Sequence, residues 1–298
     1  MARKISFVNV NRKCLKTTSV LILAKKIVQQ GSNQKVLIVD AQGEITKILS
    51  RVKLKGSTES LLSGDCSDDL FEENAFFQID VLKSPSDIDF VEFDTVKKYN
   101  EEWSKKKNEL IKNKKDGADI ELSISEWNYI FKMRFKKDYY NLYQNIVKKY
   151  DDEYDYILFD TPSSIDSVTC SVINVSDSII IPFVATESSE RELIRLINSI
   201  SSLKERFNPK VEIAGLLPVL VTKINENTTN KILLDIFRMS SSNNVPFFSS
   251  QIPMSEKNRE LKFLKHQINT RLNKTDKLSE AYDIFFNELI DKEIIYSK

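Results

Sequence analysis

Glycine is scarce in this 298-residue chain: six residues, Gly31, Gly43, Gly56, Gly64, Gly117 and Gly215, where average usage is about 7 %. No flexible glycine-rich linker is therefore expected. Histidine occurs once, at His266, which disfavours His-based catalysis and a His-containing metal cluster. The three cysteines, Cys14, Cys66 and Cys170, lie far apart with no metal or redox spacing, and so sparse a set fits a reducing cytosol. The early apolar runs Ile5–Val8 and Val20–Ala24 are interrupted by charged residues. Nothing approaches the ~18 continuous apolar residues of a membrane span, and no signal peptide is expected. Charge of one sign is not in excess either: 44 basic against 43 acidic residues leave a net +1. Global charge therefore gives no case for nucleic acid, and only a local patch could serve.

A hydrophobic content of 41 % is enough to bury the core of one large α/β domain or two small ones. Lys4–Val10 is a short apolar run rich in β-branched residues and predicts a buried strand. Thr17–Gln30 predicts a helix, with Val20, Leu23, Ala24 and Ile27 on one face, and Lys35–Asp40 a second buried strand. Strand, helix and strand so closely spaced form a βαβ unit and imply a parallel sheet. Ala75–Leu82, Tyr154–Asp160, Ser176–Phe183, Val211–Thr222 and Val245–Pro253 predict further strands. Glu187–Phe207, Asn225–Ser241 and Leu278–Lys292 predict helices, as does Ser125–Tyr150, whose stripe from Trp127 and Phe131 to Ile146 and Tyr150 reads as a packing face. The alternation implies one doubly wound, mostly parallel α/β domain over residues 1–298, with flanking helices. The Lys/Glu-rich segment 94–125 is expected to be a helical insertion within it.

Ligands of open parallel sheets bind beyond the carboxyl ends of the strands, and three features converge there. The first is the loop Val10–Thr17, ending in Lys16-Thr17-Thr18 at the start of a helix. In a phosphate-binding loop, backbone N–H groups and the helix N-terminus surround a phosphate, a Lys reaches its oxygens, and Ser or Thr ligates Mg²⁺. The second is Asp40, followed by Ala-Gln-Gly-Glu, and the third is Asp160, followed by Thr-Pro-Ser-Ser. A carboxylate ending a neighbouring strand is a common way to hold Mg²⁺ or its waters.

In this order the motifs resemble those of the ParA/Soj-type partition ATPases, the deviant Walker A group that also contains MinD. "NRKCLKTT" stands where that family has K-G-G-x-G-K-T-T. "KVLIVDAQGEIT" stands for its second strand and D-P-Q-G-N, and "EYDYILFDTPSS" for its Walker B strand. "VEIAGLLPVLVTKINENTTNKIL" and "FFSSQIPMSEKNRE" resemble its later segments, so that the likeness covers nearly the whole chain outside about residues 94–125.

The resemblance implies a P-loop NTPase-like fold, ATP and Mg²⁺ as ligands, DNA segregation as the activity, a homodimer, non-specific DNA and a ParB-like protein as partners, no membrane, and a cytoplasmic, nucleoid-associated location. It carries Lys16 over as the ligand of the β/γ-phosphates, Thr17 as the Mg²⁺ ligand and Thr18 as a neighbour of the α-phosphate. Asn11, Arg12, Lys13, Cys14 and Leu15 make up the rest of the loop. Asp160 becomes the Walker B carboxylate. The family has two Asp in this region, one ending the strand and one positioning the attacking water. This chain offers only Asp40: the spacing from Lys16 to Asp40 and Gln42-Gly43 fits the second, and the strand alignment fits the first. Lys223 and Pro253 would flank the adenine.

The loop departs from its family. The lysine that reaches across the dimer corresponds to Asn11, the two following glycines to Arg12 and Lys13, and the glycine before the catalytic lysine to Leu15. Glycine lets such a loop adopt positive φ and approach a phosphate closely. The replacements imply a loop that binds nucleotide more weakly or takes another shape, while Arg12 and Lys13 add charge that could recover part of the loss. A slow ATPase and a non-hydrolysing DNA- or protein-binding relative both follow from these residues. A third reading is a MinD-like membrane-cycling protein, which needs a basic amphipathic C-terminal helix. Acidic Glu280, Asp283, Glu288 and Asp291 on 278–292 disfavour it. Lys257, Arg259, Lys262, Lys265, Arg271 and Lys274 form a basic run that reads either as a DNA contact or as a solvated helix face.

Overall fold

A computed structural model of the chain describes residues 1–30, 33–45, 72–76, 79–82, 101–109, 112, 143–222, 226–255 and 277–296. Eight strands join in one sheet: β1 (Arg3–Phe7), β2 (Val36–Asp40), β3 (Glu72–Phe76), β4 (Ile79–Leu82), β5 (Tyr156–Asp160), β6 (Ser178–Val184), β7 (Glu212–Val221) and β8 (Ile252–Pro253). Their spatial order is β3-β4-β2-β5-β1-β6-β7-β8. Seven strands run parallel, and β3 closes one edge antiparallel to β4. The run Ala75–Leu82, expected to be one strand, is thus divided between two strands of opposite direction. Strand pairing, which local composition does not encode, decides where such a run turns.

The helices are α1 (Lys16–Gln30), α2 (Gln144–Tyr150), α3 (Ser167–Val175), α4 (Ser189–Arg206), α5 (Glu226–Ser242) and α6 (Lys277–Asp291). α1 and α6 cover one face of the sheet, packing on Ile5, Phe7, Val36, Ile38 and Leu158. The other face takes α2 and α3 over Leu37, Val39, Ile157 and Phe159, and α4 and α5 over Ile179, Ile181 and Leu216. Alternate residues of each strand feed opposite cores, as the two-residue period of a strand requires. Every residue of β2 and β5 is buried.

Helix α1 is enclosed further than its predicted stripe: Leu21 and Ile22 are buried along with Val20, Leu23, Ala24 and Ile27. The reason is α6, which lies against α1 and bonds Tyr282 to Ser19 (3.0 Å between hydroxyls) and Asp283 to Lys26. Leu278, Ala281, Tyr282, Phe285, Phe286 and Leu289 of α6 are all buried, so its apolar face is taken up by the core and is not presented to lipid. Among the described residues, no helix is long and apolar enough to cross a membrane.

Two other expectations change in extent. Of Val245–Pro253 only Ile252–Pro253 forms a strand, with a lone bridge from Phe247 to Leu216. Of Ser125–Tyr150 the helix is described over Gln144–Tyr150, and residues 125–142 lie outside the described residues. In the 94–125 segment, residues 101–109 are helical and most of the rest is likewise outside.

Candidate functional site

The strand order places β2, β5 and β1 side by side, and their carboxyl ends carry Asp40, Asp160 and the loop that leads into α1. Asp40 and Asp160 are register partners, as are Phe7 and Asp160. Thr161 seals this edge by donating its hydroxyl to the Phe7 carbonyl (2.6 Å).

The loop takes a sharply bent path without glycine. Lys13 and Leu15 both sit at positive φ, 64° and 58°, where an L-residue pays about 1–2 kcal/mol. Such conformations persist only where surrounding contacts over-determine them. Here the contacts are numerous. Asn9 donates from its side chain to the Pro182 carbonyl of β6 (2.6 Å) and accepts from the Asn11 N–H (2.9 Å). Asn11 donates from its side chain to Glu192 of α4 (2.6 Å). Cys14 is buried and donates its thiol to the Asn11 carbonyl (3.1 Å), and burial raises its pKa, with Lys16 opposing. Leu15 packs against the core beneath α1. Arg12 and Lys13 project outward, exposed.

Lys16 opens α1 and is buried. Its ammonium donates to the carbonyls of Asn9 (3.1 Å) and Asn11 (3.3 Å) and to the Ser163 hydroxyl (2.7 Å). One cation is therefore fixed at the centre of the loop, in line with the helix N-terminus, where anions are favoured. The next residue, Thr17, donates its hydroxyl to Asp160 Oδ2 (2.7 Å). Thr18 is buried against the core.

Asp160 is fully buried. Desolvation first, and then the charge of Asp40, push its pKa up to about 8, against the lowering by the Thr17 hydrogen bond and by Lys16. Its Oδ1 is buried without a hydrogen-bond partner, as is Gln42 Oε1. Buried carboxylate oxygens without donors are costly, and a divalent cation satisfies them. The donor set is hydroxyl and carboxylate oxygen throughout, which suits Mg²⁺. Asp40 Oδ1 accepts from the Gly43 N–H (2.7 Å), and Gly43, at φ 80°, makes the tight turn that allows it. Asp40 is the last residue of β2, so geometry puts this carboxylate at the strand end.

Lys16, Thr17, Asp160 and Asp40 thus share one edge of the sheet. Pro253 ends β8, three strands away from β1. Lys223 and the basic run Lys257, Arg259, Lys262, Lys265, Arg271 and Lys274 lie outside the described residues. Sequence reasoning passed over Asn9, Ser163 and Glu192. The first two adjoin the loop and Asp160 and could have been sought there, whereas Glu192 carries no local signal.

A sequence model of the AAA domain family matches residues 2–213. A ParA family protein of Mycoplasma pneumoniae is 24 % identical over 273 residues, 85 % of this chain and 83 % of that protein. Among solved structures, cobyrinic acid a,c-diamide synthase from Mycobacterium smegmatis, with bound ATP analogue and magnesium, superposes with a TM-score of 0.69 at 19 % identity, covering 97 % of this chain and 94 % of that one. A plasmid partition protein from Borrelia burgdorferi bound to AMPPNP does so at 0.63 and 19 %, covering 98 % and 99 %. At these identities the structural likenesses show the fold.

Proposed function

The chain belongs to the AAA domain family, and from that premise we propose that it is a ParA-like DNA segregation protein that binds ATP and Mg²⁺ at the Lys16 loop. The observation that carries this reading is the contact set at the ends of β1 and β5: a buried Lys16 in the loop, Thr17 bonded to Asp160, and a partnerless oxygen on Asp160. The ParA family relatives, and a partition protein of the same fold that binds a nucleotide analogue, support it.

In this reading the backbone N–H groups of residues 12–17 and the N-terminus of α1 would receive the phosphates, and Lys16, which donates to Ser163, would donate instead to a phosphate oxygen. Thr17 and Asp160 would hold Mg²⁺, which would supply charge neutralisation at the phosphates. Asp40, as the only carboxylate at the end of β2, serves both as support for the metal's waters and as orienter of the attacking water. In this reading that double duty, together with Asn11 in place of a lysine, would make hydrolysis weak or altered. Partners in this role are a second copy of the chain, a ParB-like protein and non-specific DNA at the nucleoid. The DNA contact rests on the basic run from Lys257 to Lys274.

Equilibrium binding of Mg-ATP to the full chain tests the proposal, with Lys16→Ala as control and phosphate release as the second readout. Binding lost in the variant is the expected result. No binding to the native chain, or binding indifferent to Lys16, refutes the nucleotide reading. Binding without turnover identifies a nucleotide-gated, non-hydrolysing relative. A gel shift on random-sequence DNA against salt tests the second half, because affinity falling steeply with salt is the mark of phosphate contacts.

A further inference from the structure

We infer that Glu192 is a positioning residue for the Lys16 loop, supplying from α4 the restraint that lets a glycine-free loop keep a phosphate-binding shape. The inference rests on the reading of that loop as a nucleotide site.

Lys13 and Leu15 occupy a conformation that disfavours their side chains, so the loop needs holding. Most of its ties are short-range or come from the strand that precedes it. Cys14 and Lys16 both bond the Asn11 carbonyl, and Asn9 accepts from the Asn11 N–H. Asn11 is therefore the hub: its carbonyl receives two donors and its N–H gives a third bond. Pro182 and Ser163 act on the hub through Asn9 and Lys16, while among the described residues the contact made to Asn11 itself from outside the loop is the 2.6 Å bond from its side chain to Glu192 Oε2. That bond is charge-assisted, the stronger kind. Glu192 lies in the first turn of α4, which is anchored by Ser189 donating to the Val184 carbonyl (2.6 Å) and accepting from the Thr186 N–H (3.0 Å). The support is thus a rigid helix end and not another loop.

A carboxylate beside a phosphate site opposes anion binding through its charge. Its presence against Asn11 of that loop is explained if its contribution to loop shape outweighs that repulsion. The two effects separate by substitution. Glu192→Gln keeps an acceptor for Asn11 and removes the charge, and Glu192→Ala removes both.

The test measures equilibrium Mg-ATP affinity and the hydrogen–deuterium exchange of residues 11–16 in the full chain. Native protein, Glu192→Ala and Glu192→Gln are compared, each also in a Lys13→Gly/Leu15→Gly background. Glu192→Ala is expected to weaken binding about tenfold, the equivalent of about 1.4 kcal/mol, and to speed exchange of the loop amides. Glu192→Gln should stay within about twofold of native or bind more tightly. In the glycine background Glu192→Ala should cost less than about threefold, because that loop no longer stores strain. Rescue by Gln and by glycine are readouts that a general folding role for Glu192 would not produce. Tighter binding in Glu192→Ala, or an equal loss in both backgrounds, overturns the inference. If the native chain binds no nucleotide, the function proposed above fails. The exchange data then decide the inference separately: faster exchange in Glu192→Ala, absent in Glu192→Gln, sustains it, and unchanged exchange overturns it.

Discussion

The burial of Asp160 gives a pH dependence that can be worked out with its sign. In metal-free protein the acid is carried from the usual 3.8 to about 8 by desolvation and by Asp40. Below about pH 4 both folded and unfolded chains hold this proton. Between that value and about 8 the folded state keeps a proton that the unfolded chain has released. The folded state then binds more protons, and stability falls as pH rises through the window. Each tenfold change in proton affinity is about 1.4 kcal/mol, so the full displacement sets an upper bound near 6 kcal/mol. Entry of water and relaxation around a buried charge lower the effective penalty, and we expect a loss of about 2–3 kcal/mol. The assay is urea denaturation in EDTA from pH 5 to pH 8.5, on native protein and on Asp160→Asn. The variant keeps the Thr17 hydrogen bond while removing the charge. At pH 8 it should exceed the native chain by the amount the native chain has lost, and its own slope should be smaller by the same measure. Millimolar Mg²⁺ at pH 8 should recover the native stability and leave the variant unmoved. A native curve no steeper than that of Asp160→Asn, or a variant less stable at pH 8, refutes the argument.

Three further outcomes follow from packing. Gly215→Ala places a methyl 2.7 Å from Cε2 of Phe248, a ring buried edge-on against Phe285. The overpacking should cost about 1–3 kcal/mol, read as a lower melting temperature by circular dichroism. Tyr282→Phe strips the buried Ser19 hydroxyl of its partner and should cost about 1–3 kcal/mol. Adding Ser19→Ala should return most of it, and a double variant as unstable as the sum of the two singles would contradict the pairing. Cys14, buried and with a raised pKa, should react with a thiol reagent at pH 7.5 only as slowly as the loop opens, and faster in Glu192→Ala.

Element type was legible wherever composition and periodicity agreed. The buried strands Val36–Asp40 and Tyr156–Asp160 and the helices Ser189–Arg206 and Lys277–Asp291 match their predicted ranges to within two residues. Their strands are apolar and β-branched, and their helices recur at three- and four-residue steps. Ala75–Leu82 reads as one strand by composition, whereas pairing with β2 and between β3 and β4 divides it between two. Val245–Pro253 has the composition of a longer strand, whereas most of it lies beside β7 as irregular chain bonded to it at single points. Of the residues gathered at this edge, Lys16, Thr17, Asp40 and Asp160 stand out by residue type and strand position, and Ser163 by its place shortly after Asp160, whereas Glu192 carries no local signal.

The sequence by itself determined that strands alternate with helices, that Lys16-Thr17 opens a helix, and that two strands end in aspartate, because these are local properties of neighbouring residues. It also determined that no glycine is available to the loop. Only the tertiary structure decided the shape that loop takes. It places β5 between β2 and β1, so that Asp160 meets Asp40 on one side and the loop on the other. It brings Pro182 of β6 and Glu192 of α4 to Asn9 and Asn11. Those long-range bonds hold Lys13 and Leu15 where their own backbone preferences would not put them, and a short stretch of sequence carries no record of what another part of the chain imposes on it.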